Sequence, residues 1–175
     1  MGNVRLYGAT SGYTELAPPA VAPDGVLSLP TGVGTLLTAE GGKVLQVVRA
    51  TDSTVRSTTS TSFVDANISV TITPQLATSA ILLIWSVAVL APATGYVFLQ
   101  ITDSSNTAIS GAERGGLGTA TSLNSLAGGL VNIGYATPAT TSATTYKGRF
   151  KTTTATGVLQ NTDMTSQLYA IEVSA

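Results

Sequence analysis

Residues 80–90 read AILLIWSVAVL, eleven positions in which Ser86 is the one polar side chain. A membrane helix needs about 20 consecutive apolar residues, so the run is far too short to span a bilayer and reads as a strand. Because both of its faces are apolar, it suits a central strand covered on both sides. One cover is the domain's own core, and the other is open to a second subunit.

The flanking sequence extends the same reading. Residues 43–49 (KVLQVVR), 62–64, 68–73 (ISVTIT), 96–102 (YVFLQIT), 129–135, 144–151 (TTYKGRFK) and 167–173 (QLYAIEV) are rich in Val, Ile, Thr and aromatic residues. Gly, Pro, Asn, Asp and Ser punctuate the gaps, which is the composition of strands joined by turns. Residues 68–73 alternate Ile and Val with Ser and Thr, the period of a half-buried strand. In residues 144–151 the same period puts Tyr146, Gly148 and Phe150 on one face and Lys147, Arg149 and Lys151 on the other. Asp103-Ser104-Ser105-Asn106 has hairpin-turn chemistry. The glycine-rich residues 111–128 read as a long loop, of the kind that is often functional, with a short apolar strand or helical turn within residues 122–127 as the alternative. No stretch has a helical period. The predicted fold class is all-β, with residues 43–175 forming a β-sandwich, jelly-roll-like, of roughly eight strands.

Residues 1–42 differ. Pro18, Pro19, Pro23 and Pro30 fall within thirteen residues, with Gly25, Gly32, Gly34, Gly41 and Gly42 around them. This forbids a helix or a long central strand. Such a thin segment buries too little apolar area to offset about 1–2 kcal/mol of backbone entropy per residue. Yet it carries Leu16, Val26, Leu27, Leu29, Val33, Leu36 and Leu37, more than a disordered linker usually holds. Its β-like pieces are short, residues 26–29 (VLSL) and 34–38 (GTLLT), and the reading is an extended N-terminal arm ordered by other copies of the chain.

Composition narrows the chemistry. The chain has 175 residues, 8 basic against 9 acidic, and only 10% charged side chains. Thr (29) and Ser (17) carry much of its polarity. No Lys/Arg cluster marks a nucleic-acid partner, and nothing predicts membrane insertion or a targeting segment. Cys and His are absent, which removes thiolate nucleophiles, Ser–His dyads and ordinary zinc or haem ligation. The nine carboxylates are scattered; Asp103 and Glu113, flanking the predicted hairpin, are the one pair placed to approach each other, and solvated loop positions are the plainer reading. Gly32-Val33-Gly34 and Gly116-Leu117-Gly118 begin phosphate-loop patterns that neither completes. The sequence predicts no enzyme, no cofactor and no metal. A neutral surface rich in Thr, Ser, Gly and Asn suits glycan hydroxyls, and suits plain solvation equally.

Residues 11–20 (SGYTELAPPA), followed by 26–30 (VLSLP) and 34–38 (GTLLT), resemble a module of tail-fibre and appendage proteins of tailed bacteriophages. Residues 43–48, 61–65, 68–74 and 79–83 resemble the opening of a β-sandwich domain of phage and cyanophage structural proteins. The resemblance covers about half the chain. It implies a homotrimeric virion appendage whose N-terminal arms intertwine and whose C-terminal β domains form a knob. The function read from it is a tail-fibre-type protein, assembled in the host cytoplasm, that docks to other virion proteins through residues 1–42 and presents its distal domain to a host-surface glycan. Leu16, Pro18, Val26, Leu27, Leu29, Pro30, Leu36 and Leu37 are the candidate trimer and attachment residues. Ser104, Ser105, Asn106, Arg114 and Asn124 are the candidate receptor-loop residues. The alternative is a purely structural capsid-decoration, neck or baseplate protein with no receptor contact. A depolymerase is disfavoured by the missing His and the lack of paired acids.

Overall fold

The computed structural model describes residues 4–7, 13–16, 44–118, 125–162 and 164–174. The chain divides into two compact units, Met1–Leu37 and Thr38–Ala175. In the first, β1 (Val4–Tyr7) and β2 (Tyr13–Leu16) form an antiparallel hairpin with Val4 opposite Leu16 and Tyr7 opposite Tyr13. This pair was not expected, since residues 1–42 read as an arm with short β-like pieces only at 26–29 and 34–38. Those pieces lie outside the described residues.

The second unit is all-β. Its strands are β3 (Val44–Asp52), β4 (Arg56–Thr58), β5 (Val64–Ile72), β6 (Ala80–Pro92), β7 (Tyr96–Asp103), β8 (Gly115–Gly118), β9 (Ser125–Ala136), β10 (Thr144–Thr152), β11 (Gly157–Leu159) and β12 (Ser166–Val173). Every pairing among the described residues is antiparallel. One sheet runs β5-β10-β7-β8. The other runs β3-β12-β6-β11-β4, with β9 paired to β6 along its whole length. β12 and β11 share the opposite edge of β6, at Ala80–Ser86 and Val89–Leu90 respectively. The apolar run is thus the central strand of the larger sheet, as its composition predicts.

The two sheets contribute to one core. From β6 come Ile81, Leu83, Trp85, Val87, Val89 and Ala91; from β5, Ala66, Ile68, Val70 and Ile72; from β7, Val97, Leu99 and Ile101. Tyr146 and Phe150 of β10 point inward, and Lys147, Arg149 and Lys151 lie on the opposite, less buried face, so the predicted alternation holds. Trp85 is fully buried and donates its indole N–H to the Ser166 hydroxyl at 2.8 Å. Gly148 lies against that indole: a Cβ there would stand 2.8 Å from Ile68 Cγ2 and 3.0 Å from two indole carbons.

The predicted loop 111–128 needs correction, because β8 and the first residues of β9 fall inside it. Glycine normally weakens a strand, but here rings supplied by β7 cover it. A Cβ on Gly118 would collide with Tyr96 Cε1 and one on Gly116 with Phe98 Cδ1, each in the ring of its partner in register. The short strands β4 and β11 are also additions to the expected set.

A buried carboxylate ties the sheets' edges together. Glu172 is fully buried and accepts the main-chain N–H groups of Gln75 (2.7 Å) and Leu76 (3.3 Å) and the side-chain amide of Gln46. Burial pushes its pKa up, but the Gln46 amide and these N–H donors outweigh it and hold the carboxyl below its ordinary value. Asp52 is lowered in the same way: burial opposes, while Arg56 at 2.9 Å, the Thr54 N–H and Asn161 prevail. A lowered folded-state pKa gives stability that is present above the unfolded value, about 4 for these groups, and is lost as pH falls through the folded one. Urea midpoints are therefore expected to be flat from pH 7 to about 5 and to fall below about 4.5. Glu172→Gln is expected to lower stability at pH 7 by about 1–3 kcal/mol and to flatten that acid limb; an unchanged limb would remove Glu172 from this account.

Candidate functional site

Two surfaces of the second unit stand out, and both are built by strand register. The first arises from an inversion in β9. Its Val131, Ile133 and Tyr135 point outward and are 61%, 52% and 56% exposed, whereas Asn132 and Gly134 point inward and are buried. Ordinary alternation would place the large apolar side chains inside. The cause is the segment 109–115 that closes beneath β9. The Ser110 carbonyl accepts the Tyr135 N–H at 2.9 Å, and the Ala112 carbonyl accepts the Asn132 amide at 3.3 Å. A Cβ on Gly134 would stand 3.0 Å from both Ala112 Cβ and Ile109 Cγ2. Only a small or hydrogen-bonding residue fits there, so the large side chains of β9 face out.

Register then sets them beside the outward residues of three more strands. Tyr135 lies opposite Leu82, Leu82 opposite Ile171, and Ile171 opposite Val47. The next row is Ile133, Ile84, Tyr169 and Arg49, and the one after it Val131, Ser86, Gln167 and Thr51. Arg49 is the one charged side chain in these rows. Met164, half exposed, brings its methyl group within 3.9 Å of where a Gly129 Cβ would be, on the same face. β12, eight residues long, sets the length over which all four strands run side by side, so at about 4.8 Å between strands and ~3.4 Å per residue this face covers roughly 500 Å². Monomeric proteins rarely expose a contiguous apolar patch of more than a few hundred Å².

The second surface is on the outward side of the smaller sheet. Tyr96 and Phe98, two apart on β7, share a face, with parallel rings 5.6 Å apart between centroids. The Arg114 guanidinium lies 3.7 Å above the Phe98 centroid, and the Lys151 ammonium, opposite Phe98 on β10, lies 5.9 Å from it. Thr153 fixes the start of β7 by accepting the Tyr96 N–H at 2.9 Å and donating its own N–H to the Tyr96 carbonyl at 3.0 Å. Thr94, Tyr96, Phe98, Arg114, Gly116 and Thr153 enclose an open hollow of about 810 Å³. Among the described residues, neither Arg114 nor Lys151 has a carboxylate partner.

The sequence-selected residues are dispersed relative to this hollow. Arg114 is part of it. Ser104, Ser105 and Asn106 form the turn beyond the other end of β7, and that turn starts six residues after Phe98, or roughly 20 Å along the strand. The turn is organised by Asp103, whose carboxylate accepts the N–H groups of Ser105 (2.9 Å) and Thr107 (2.8 Å). Asn106 adopts the left-handed conformation at φ 69° and accepts Lys147 Nζ at 2.8 Å. These contacts explain the turn without a ligand, and the structure does not bring Ser104, Ser105 and Asn106 together with Arg114. Asn124 lies outside the described residues, as do Pro18, Val26, Leu27, Leu29, Pro30, Leu36 and Leu37. Leu16 ends β2. Asp103 is committed to its turn, and Glu113 offers its main-chain carbonyl to the Gln100 amide at 3.2 Å. A smaller hollow of about 360 Å³ lies beside Asp103, Ile109, Tyr135, Pro138 and Tyr146. Burial, and secondarily the charge of Asp103, raises the Tyr146 pKa there. No cluster of His, Cys, Asp and Glu able to hold a metal occurs among the described residues.

Neither a protein-family model nor a curated protein matches the sequence. Among solved structures, the chain is similar to that of the T13 viral particle of infectious bursal disease virus, with 15% identity, 94% of this chain and 42% of that one covered, and a TM-score of 0.42. It is similar to a mutant VP2 protein of that virus in derived T=1 particles, at 15% identity, 97% and 44% coverage and a TM-score of 0.41. For the structure of the Gx strain the values are 16%, 94%, 43% and 0.35. The chain spans less than half the length of these solved chains.

Proposed function

We propose that the chain is a structural subunit of a virus particle, of tail-fibre type. Residues 1–42 attach it to the particle, and residues 43–175, a β-sandwich knob, are presented to the host surface. The observation that carries the assembly part is the outward apolar face of the larger sheet. Its roughly 500 Å² is a large part of the ~800 Å² per partner that a standard stable interface buries, and its occupant is a second copy of the chain. A face with one charge and inverted polarity on its edge strand has the composition of an interface core rather than of a solvated surface. The virion setting and the three-fold arrangement come from the sequence resemblance at residues 11–38, in which apolar arm residues of neighbouring copies complete one another.

The same face serves a capsid-decoration, neck or baseplate subunit that never meets the host. The two readings part at adsorption. Variants of the knob's outward hollow are expected to assemble into particles that adsorb poorly if the knob is presented to the host, and to adsorb normally if the role is purely structural. Light scattering and sedimentation equilibrium of the full chain test the common premise. A trimer at micromolar concentration is expected, and a structured lone protomer would sink it.

A further inference from the structure

We infer that the hollow floored by Tyr96 and Phe98 binds an acidic sugar, with the Tyr96 ring stacking on the pyranose and Arg114 pairing with its carboxylate. This rests on the proposed presentation of the knob to a host surface and names the chemistry it would recognise there.

The two rings play different parts. Phe98 is mostly covered, one of its faces taken by the Arg114 guanidinium. Tyr96 is half exposed, and its ring is held flat against Gly118 on the neighbouring strand. An exposed aromatic face of that kind takes the apolar C–H face of a sugar ring, and a planar aromatic contact is gained with few rotors to freeze. The stack on Phe98 does for Arg114 what a salt bridge would do elsewhere: it holds a long side chain in one place, and among the described residues its N–H donors meet no acceptor. A guanidinium so placed matches a carboxylate with two parallel hydrogen bonds. Lys151 adds a second positive charge on the adjacent strand, and among the described residues none that lines the hollow is acidic. Thr94 and Thr153 supply hydroxyls at the rim for the neutral hydroxyls of a sugar. The glycines of β8 are part of the same design, since any side chain at Gly116 or Gly118 would lift the rings from their seat.

The test is titration calorimetry of the full chain with a galacturonate oligosaccharide, a neutral dextran oligosaccharide of equal length and a single-stranded oligonucleotide. Binding of the galacturonate alone is expected. Tyr96→Ala and Arg114→Gln are each expected to weaken it by about tenfold, whereas Lys147→Gln, at the far turn, leaves it unchanged. Equal binding of dextran would remove the carboxylate from the account. Equal binding of the oligonucleotide, insensitive to Tyr96→Ala, would reduce the hollow to a general polyanion patch. Light scattering on the same samples separates this inference from the reading beneath it. A chain that assembles but ignores galacturonate overturns the site and leaves the appendage reading standing. A chain that binds galacturonate yet stays monomeric does the reverse.

Discussion

Trp85→Ala is expected to lower the stability of the larger unit by about 3–5 kcal/mol, the largest effect of any single substitution in its core. Trp85 is the biggest fully buried side chain, and it stands midway along β6 between its partners Leu168 and Asn132. Its indole spans to the opposite sheet and touches the space over Gly148, so truncation removes contacts to both sheets and orphans the Ser166 hydroxyl. The complementary change is Gly148→Ala. Its methyl would collide with Ile68 and with an indole pinned by a hydrogen bond, and overpacking of this kind costs about 1–3 kcal/mol. Because the two side chains compete for one volume, Trp85→Phe should relieve part of the Gly148→Ala penalty, making the double variant more stable than additivity allows. Urea unfolding of the four proteins measures this directly. Additive losses would mean that the indole does not fill the space over Gly148.

What the sequence disclosed and what it concealed follow from the range of the interactions concerned. β6 was legible because its run of apolar residues needs no partner to be recognised, and the Asp103 turn because an Asx turn is closed by its own neighbours. The alternation in β10 was legible for the same local reason. β8 was not: three glycines in four residues read as loop, and what makes them a strand is a pair of rings from β7. β4 and β11 span three residues each, too few to show a period. The hollow was half legible. Arg114 was among the candidate receptor-loop residues, whereas Tyr96 and Phe98, at spacing two on a predicted strand and so on one face, were not among the candidates. Nothing local says that Arg114 meets Phe98, which depends on the β7–β8 register. β9 carries the misleading signal. Its alternation is genuine, but the polarity of its faces is reversed by the segment 109–115, which lies beneath one side and is invisible to a periodicity argument.

That reversal yields the second large effect. The double variant Ile84→Lys, Ile133→Lys is expected to weaken the proposed self-association by ~100-fold or more, because two adjacent charges would be buried at the centre of the proposed interface with no partner. The two residues are opposite one another in register, in the row that also holds Tyr169 and Arg49. Fold stability of the protomer should change little, since both side chains lie on the outer face and a lysine there extends its stem across the sheet and its ammonium into water. This separates an interface from a core: core substitutions lower the urea midpoint, whereas these lower the association constant at a nearly fixed midpoint. Thr71→Lys, on the outward side of β5 in the other sheet, is the matched control and should alter neither quantity. Rising salt should not restore association of the double variant fully, because the penalty is desolvation as well as repulsion. Sedimentation equilibrium across a concentration series supplies the comparison. A double variant that assembles like the wild type would place the contacts between copies elsewhere on the molecule, and the outward apolar rows of β3, β12, β6 and β9 would then need another occupant.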